Sequence, residues 1–335
     1  MSLRAWAGLC LALLTPSIAS ASSFGDFLPG AKAMGMGMAY SAIADDPYAM
    51  WFNPAGTANA PYTQSSMSLG RMESPRGSLS FGSLAYLRPY EPIATATVGA
   101  GYYVGRQQNG SDRDEFLFHY SQEVKVPRLP LTRPLRVGGN FKIVNIEGGV
   151  GAGVGMGFDG GVQMRALSGL TAGFGLRDLV TSVGLPRPVV FMACAYTYDK
   201  WLTFAGDLRV RSNLTEFYPG VEASFHQGLL KARMGRGFQL DGVSRVAFGL
   251  GINFSPVVLD VAMTVPTNGI NRPGGAYQTS LTYKFGAPSF AGNFVGQAAA
   301  QAEKLRADIE GLKDRRKSAE SEAKSADTRR EISEG

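Results

Sequence analysis

Charged side chains recur at alternate positions of otherwise apolar stretches, and chemistry would reside there. Arg136, Lys142, Arg165, Arg209, Arg211, Lys231, Arg233 and Arg245 form one set, opposed by Asp159, Asp207, Glu222 and Asp260. Alternate positions of a strand share one face. These residues would therefore line a common surface, and its excess of cations favours anionic groups. A neutralised ladder that only holds the surface in shape explains the same pattern. A second concentration is Asp45-Asp46-Pro47 followed by Asn53-Pro54-Ala55, two chain breaks flanking a stretch crowded with Tyr48, Met50, Trp51 and Phe52. His119 and His226 stand far apart, without ligand spacing, and read as polar side chains on separate strands, so no metal is expected. No nucleophile stands beside a base, which leaves no catalytic residue to name, no cofactor and no enzyme. The run Gly148-Gly149-Val150-Gly151-Ala152-Gly153-Val154-Gly155 lacks the lysine and the following helix of a phosphate-binding loop, and reads as a hairpin turn.

The elements that must carry these residues are written in period two. Val246, Phe248, Leu250, Ile252 and Phe254 fall on one face, and Arg245, Ala247, Gly249, Gly251 and Asn253 on the other. Val257, Leu259, Val261, Met263 and Val265 likewise oppose Asp260, Ala262 and Thr264. Such alternation is the strand signal. About fourteen segments qualify: 64–73, 77–87, 92–104, 114–125, 134–147, 153–165, 169–178, 188–199, 201–211, 216–226, 228–238, 242–254, 256–265 and 275–286. Their even number and their length suit tilted membrane-spanning strands; strands of soluble proteins run shorter, about 5–6 residues. Charged residues make up 18% of the chain, below the roughly 25% typical of soluble domains. The 43 glycines argue against long helices. A net charge of +6 is too mild and too evenly spread for a nucleic-acid partner.

Residues 1–21 read as a secretory signal, with Arg4 as the basic start, Ala5 to Leu14 as the apolar core and Ala19-Ser20-Ala21 as the cleavage site. The mature chain would keep one cysteine, Cys194. Secretion, strand length and a glycine-rich second face together favour a transmembrane barrel over a soluble sandwich. From about Asn293 the composition changes. Val295, Ala298, Ala302, Leu305, Ile309 and Leu312 step by three and four, a heptad seam. A helical periplasmic extension is expected over 293–335, pairing weakly with itself or docking on a periplasmic partner. The expected divisions are 1–21 signal, 22–62 N-terminal segment, 63–287 barrel and 288–335 tail. An even-stranded barrel places both termini on one side, here the periplasm.

The string Gly30-Ala31-Lys32-Ala33-Met34-Gly35-Met36-Gly37-Met38-Ala39, then Ala44-Asp45-Asp46-Pro47, then Trp51-Phe52-Asn53-Pro54-Ala55-Gly56 resembles the N-terminal signature of the FadL-like outer-membrane proteins. The PorV/PorQ branch associated with type IX secretion is the nearest match. With the strand count, the resemblance spans residues ~25–286. It implies an all-β fold: a ~14-stranded antiparallel transmembrane barrel with an N-terminal hatch, followed here by the helical tail. It also implies that Asp45, Asp46, Asn53, Pro54 and Ala55 are hatch residues, either gating or only fixing the plug. The last strand, Tyr277 to Phe285, is similar to the signal read by the barrel assembly machinery.

Two functions follow from the resemblance. One is passage of hydrophobic, fatty-acid-like molecules through a hatch-gated barrel set among outer-membrane lipids. The other is a secretion accessory that binds exported proteins and hands them to partner machinery. Short loops, the longest at 105–113, 179–187 and 266–274, weigh against the second. An apolar pocket over the hatch would favour the first, and a wide lumen open to one side the second.

Overall fold

The computed structural model describes residues 28–74, 77–108, 110, 112–125, 134–148, 152–179, 188–211, 214–238, 244–267 and 275–289. The signal at 1–21, the heptad seam at 293–335 and much of the expected long loops lie outside them. The strands are β1 (Thr63–Ser74), β2 (Gly77–Pro89), β3 (Ala96–Gln107), β4 (Asp112–Val124), β5 (Leu135–Glu147), β6 (Gly153–Leu167) and β7 (Leu170–Leu179). They continue as β8 (Val189–Tyr198), β9 (Leu202–Arg211), β10 (Leu214–Phe225), β11 (Leu230–Phe238), β12 (Ser244–Phe254), β13 (Val257–Pro266) and β14 (Ala276–Phe285). Each pairs antiparallel with its neighbours in sequence, and β14 returns to β1, closing the barrel. Met67 on β1, for example, faces Leu281 on β14 and Leu84 on β2. Closure leaves no unpaired edge.

The alternation places apolar side chains outward. Leu69, Phe118, Phe174, Leu250, Met263 and Tyr277 are all exposed, while small or polar neighbours in sequence, such as Ser68, His119, Gly173, Gly249, Ala262 and Gln278, are buried inside. Such a wide apolar exterior with a polar interior is the membrane-barrel arrangement. Tyr86, Tyr120, Tyr198, Trp201, Phe225, Phe254, Tyr283 and Phe285 are exposed near the barrel end where β1 begins and β14 finishes. Amphipathic rings of this kind suit a bilayer interface.

Local chemistry sets the turns and two departures from expectation. Asp199 and Lys200 both take positive φ (43° and 63°) in the three-residue link between β8 and β9, a backbone twist common in tight hairpins. The third strand begins four residues later than the alternation suggests. Tyr90 to Thr95 instead close as turns, with Ile93 N donating to Tyr90 O (3.0 Å) and Ala96 N to Ile93 O (2.8 Å). Between β6 and β7 the register shifts at Phe158/Gly160, where Asp178 has φ 56°. This irregularity brings the consecutive Arg177 and Asp178 both to lumen-side partners.

The apolar core lies within the barrel and is supplied mainly by the N-terminal segment. That segment contains α1 (Ala31–Gly35), α2 (Ala49–Phe52) and a 3-10 turn at Pro54–Thr57. Met34, Tyr40, Tyr48, Met50, Trp51 and Phe52 are buried together there. The glycine-rich inner wall is the complement of this segment. A Cβ on Gly249 would stand 2.8 Å from the Gly35 Cα, and one on Gly101 would strike the Trp51 indole. Backbone meets backbone, so any side chain at these places would push the segment off the wall.

Candidate functional site

The junction between the N-terminal segment and the inner wall is the candidate site. Its anchor is Asn53, which is fully buried. Asn53 Nδ2 donates to Ser41 O (2.9 Å) and to Val162 O on β6 (3.3 Å), while Oδ1 accepts from Ala55 N (3.1 Å). The same side chain thus closes the 3-10 turn, ties two parts of the segment together and bolts them to the wall. Gly161 and Gly173 form its slot, since a Cβ on Gly161 would overlap Asn53 Oδ1 and one on Gly173 would lie 2.9 Å from Nδ2. Pro54 presses its carbonyl against Gly138. Ala55 is buried beside it.

A continuous polar network runs from this turn through the wall. Thr57 Oγ1 lies 2.6 Å from His119 Nε2 and 2.8 Å from Ser121 Oγ. His119 Nδ1 lies 2.7 Å from Asn140 Oδ1, and Asn140 Nδ2 donates to Met50 O (2.7 Å) and Asp159 Oδ2 (2.8 Å). Lys142 Nζ then joins Asp159 (2.9 Å), Asp178 (3.0 Å) and Glu115 (3.8 Å). Glu115 accepts from Trp51 Nε1 (3.0 Å) and pairs with Arg113. On β9 Asp207 accepts from Ser41 Oγ (2.6 Å) and Arg209 donates to Met38 O (2.5 Å), and on β6 Gln163 donates to Ala42 O (2.9 Å). Buried polar groups of this kind are stable only when satisfied, and here the wall satisfies the segment.

Asp45 and Asp46 lie apart from Asn53, Pro54 and Ala55. They line a recess of about 80 Å³ with Lys32, Lys231, Arg233, Asp260 and Lys284. Lys32 Nζ grips both Asp45 oxygens (2.5 and 2.7 Å), and Tyr40 Oη donates to Asp45 Oδ1 (3.0 Å). Burial would raise the Asp45 carboxyl, but the Lys32 and Lys231 charges and these hydrogen bonds outweigh it, holding the group well below the usual range. The Asp45 side chain is enclosed by the barrel yet 53% open to the recess, so the pair is partly screened. Burial pushes the Asp46 carboxyl up to about 6, aided by the Asp45 charge and opposed by Lys32. Asp46 Oδ1 accepts from Tyr48 N (2.8 Å).

The cations read from the sequence occupy the inward rows, and most serve as structural partners. Arg136 donates to Glu123 (3.0 Å) and Gln163 (3.2 Å). Arg233 binds Glu222 and Asp260, both at 2.6 Å, and Lys231 binds Glu222 at 2.9 Å. Arg209 pairs with Asp207 at 3.1 Å. Arg211 and Arg245 are buried, and Arg165 is exposed at the rim of a second recess, of about 200 Å³, with Asn59, Glu123 and Arg136. Both recesses are lined by charged and polar groups. A third, much smaller recess of about 10 Å³ is lined mostly by apolar and small residues: Met34, Gly37, Met38, Gly237 and Ala247, with Arg245 and Thr264.

Several site residues escaped the sequence reading: Lys32, Ser41, Trp51, Thr57, Glu115, Asn140, Gln163, Arg177 and Asp178. His119, read as an isolated polar side chain, is the node between Thr57 and Asn140. The one available signal was parity, which puts Glu115, His119, Asn140 and Gln163 on the inward rows.

No protein-family model and no curated protein sequence matches the chain. Solved structures do. The chain is similar to the CymD monoaromatic hydrocarbon channel at 12% identity and a TM-score of 0.59, covering 78% of this chain and 99% of that one. It is similar to the Pseudomonas putida toluene transporter TodX at 12% identity and 0.53, covering 80% and 99%. A Pseudomonas aeruginosa FadL homologue matches at 11% identity and 0.54, covering 76% and 98%. At such identities the likeness establishes the fold alone, a closed antiparallel barrel.

Proposed function

We propose that the chain is an outer-membrane channel for fatty-acid-like hydrophobic molecules, gated by residues 28–62 acting as a hatch. The observation that carries this reading is the lumen segment itself: it is held to the wall by hydrogen bonds, all of them reversible, and seated on glycines that fit it closely. The fold's likeness to hydrocarbon channels supports the same reading. In this mechanism cargo reaches the barrel mouth, the hatch shifts, and cargo leaves through the lumen or the wall. The PorV/PorQ assignment, with a periplasmic tail that docks on a partner, rests on the N-terminal motif and the heptad seam.

The test is a reversible lock. Ser41 and Asp207 touch across the junction, so Ser41→Cys with Asp207→Cys, in a Cys194→Ser background, is bridged by a short bis-methanethiosulfonate, which joins each thiol through a disulfide with loss of sulfinate. Uptake of a radiolabelled fatty acid into proteoliposomes should stop on bridging and return on reduction. Uptake unaffected by the bridge would refute hatch gating. Co-purification of exported proteins, with no uptake in either state, would replace transport by secretion.

A further inference from the structure

We propose that Arg177 and Arg209 form an anion-responsive catch: each guanidinium holds a hatch carbonyl when the site is empty and releases it when an acidic headgroup of the cargo binds. The proposal rests on the hatch reading above and names what trips it.

Arg177 is 3% exposed, and its Nη1 donates to Trp51 O at 2.9 Å. Among the described residues no carboxylate lies within ion-pair distance of it, and its Nε has no partner. Asp178, next in the chain, gives its carboxylate to Lys142. Arg209, also 3% exposed, donates from Nη2 to Met38 O and to Asp207, and its Nε is likewise open. Its guanidinium lies 4.4 Å from the Tyr218 ring and 5.7 Å from the Phe52 ring.

The register brings these groups to one patch of wall. Arg177 stands opposite Val189, which stands opposite Arg211, and Arg209 stands opposite Glu216. Of the described carboxylates nearby, Glu216 faces Arg209 across β9 and β10, while Asp159 and Asp178 pair with Lys142. Asp207 is already engaged by Ser41.

A buried guanidinium held only by a neutral carbonyl is costly. A carboxylate or phosphate taking Nε and the adjacent Nη as a fork would satisfy it far better. That fork competes with the hatch carbonyl. Met38 follows α1 and Trp51 lies within α2, so losing both contacts loosens the two halves of the hatch together. Plain hydrocarbons have no group to offer the catch.

The test reads the hatch, not transport. Ala42 is buried in the hatch, so Ala42→Cys in the Cys194→Ser background reports opening through its rate of maleimide labelling in the full-length protein in liposomes. Octanoate should speed labelling about tenfold, the factor expected when one charge-assisted hydrogen bond to the hatch is given up. Octanol should not. Arg177→Gln should abolish the octanoate response, while Arg177→Lys, which keeps the charge without the fork, should retain a reduced one. Inorganic phosphate matching octanoate would assign the same site to a free anion. Equal acceleration by octanoate and octanol, or an undiminished response in a correctly folded Arg177→Gln, would overturn the catch. Failure of uptake with an intact labelling response would refute transport and leave the catch standing.

Discussion

Removing the Asn53 side chain should loosen the N-terminal segment from the wall without unfolding the barrel. Asn53→Ala deprives three buried backbone groups of their partners, namely Ser41 O, Val162 O and Ala55 N. The contact at 3.3 Å is the weakest, and Val162 also belongs to the β6 ladder, where it pairs with Val137 and Phe174. Two groups, Ser41 O and Ala55 N, therefore carry most of the effect. An orphaned buried group costs about 1–3 kcal/mol, so docking of the segment should weaken by about 2–6 kcal/mol. That corresponds to a rise of about 30-fold to about 20,000-fold in the undocked fraction. The assay is the labelling rate of Ala42→Cys in the Cys194→Ser background, with gel migration of the unheated protein checking that the barrel stays closed. Asn53→Asp is the sharper variant. It keeps the acceptor for Ala55 N, but its second oxygen faces the Ser41 and Val162 carbonyls, so it should open at least as far as alanine. Labelling within twofold of wild type in either variant would refute the claim that Asn53 bolts the hatch.

Other outcomes follow from the same geometry. Gly161→Ala drives a methyl into Asn53 Oδ1 and should raise labelling in the same direction, whereas Gly160→Ala, with open space around its Cβ position, should leave it unchanged. Lys142→Met strands Asp159, Asp178 and Glu115 together and should destabilise the barrel by about 3–5 kcal/mol, read as a lower urea midpoint in detergent. Asp46 adds a pH dependence of known sign. Its folded carboxyl titrates near 6, above the ordinary 3.8, so the folded hatch binds the proton more tightly than the released one. Asp46-linked docking is therefore strongest below about pH 4 and weakens as pH rises through 6. Asp46→Asn keeps the acceptor for Tyr48 N and should flatten that part of the labelling profile; a profile unchanged by the substitution would contradict the shift.

The strands were readable because period two is a local property. Val257 to Val265 and Tyr277 to Phe285 alternate within single strands, and neighbouring pairs share the same parity, so the count, the antiparallel order and the inward rows all followed. The cations from Arg136 to Arg245 read as one set because they share that parity. The motif from Gly30 to Gly56 likewise announced a bent, close-packed segment through its glycines and its Asp-Pro and Asn-Pro breaks.

Partnership across the lumen was not readable. Asn140 meets Met50 from 90 positions away, and Ser41 meets Asp207 from 166; nothing in either local pattern ties them together. The inner glycines looked like a merely small lining, and only the packed segment explains why Gly101, Gly161 and Gly249 carry no side chain. The irregularity at Asp178 also lay beyond a strict alternation, because a positive φ at one residue breaks the parity on which the reading depended. Parity states which side of a sheet a residue faces, a consequence of covalent geometry repeated every two residues. Which residue it meets there depends on barrel closure and on how the segment threads the lumen, and those are set by the packing of the whole chain.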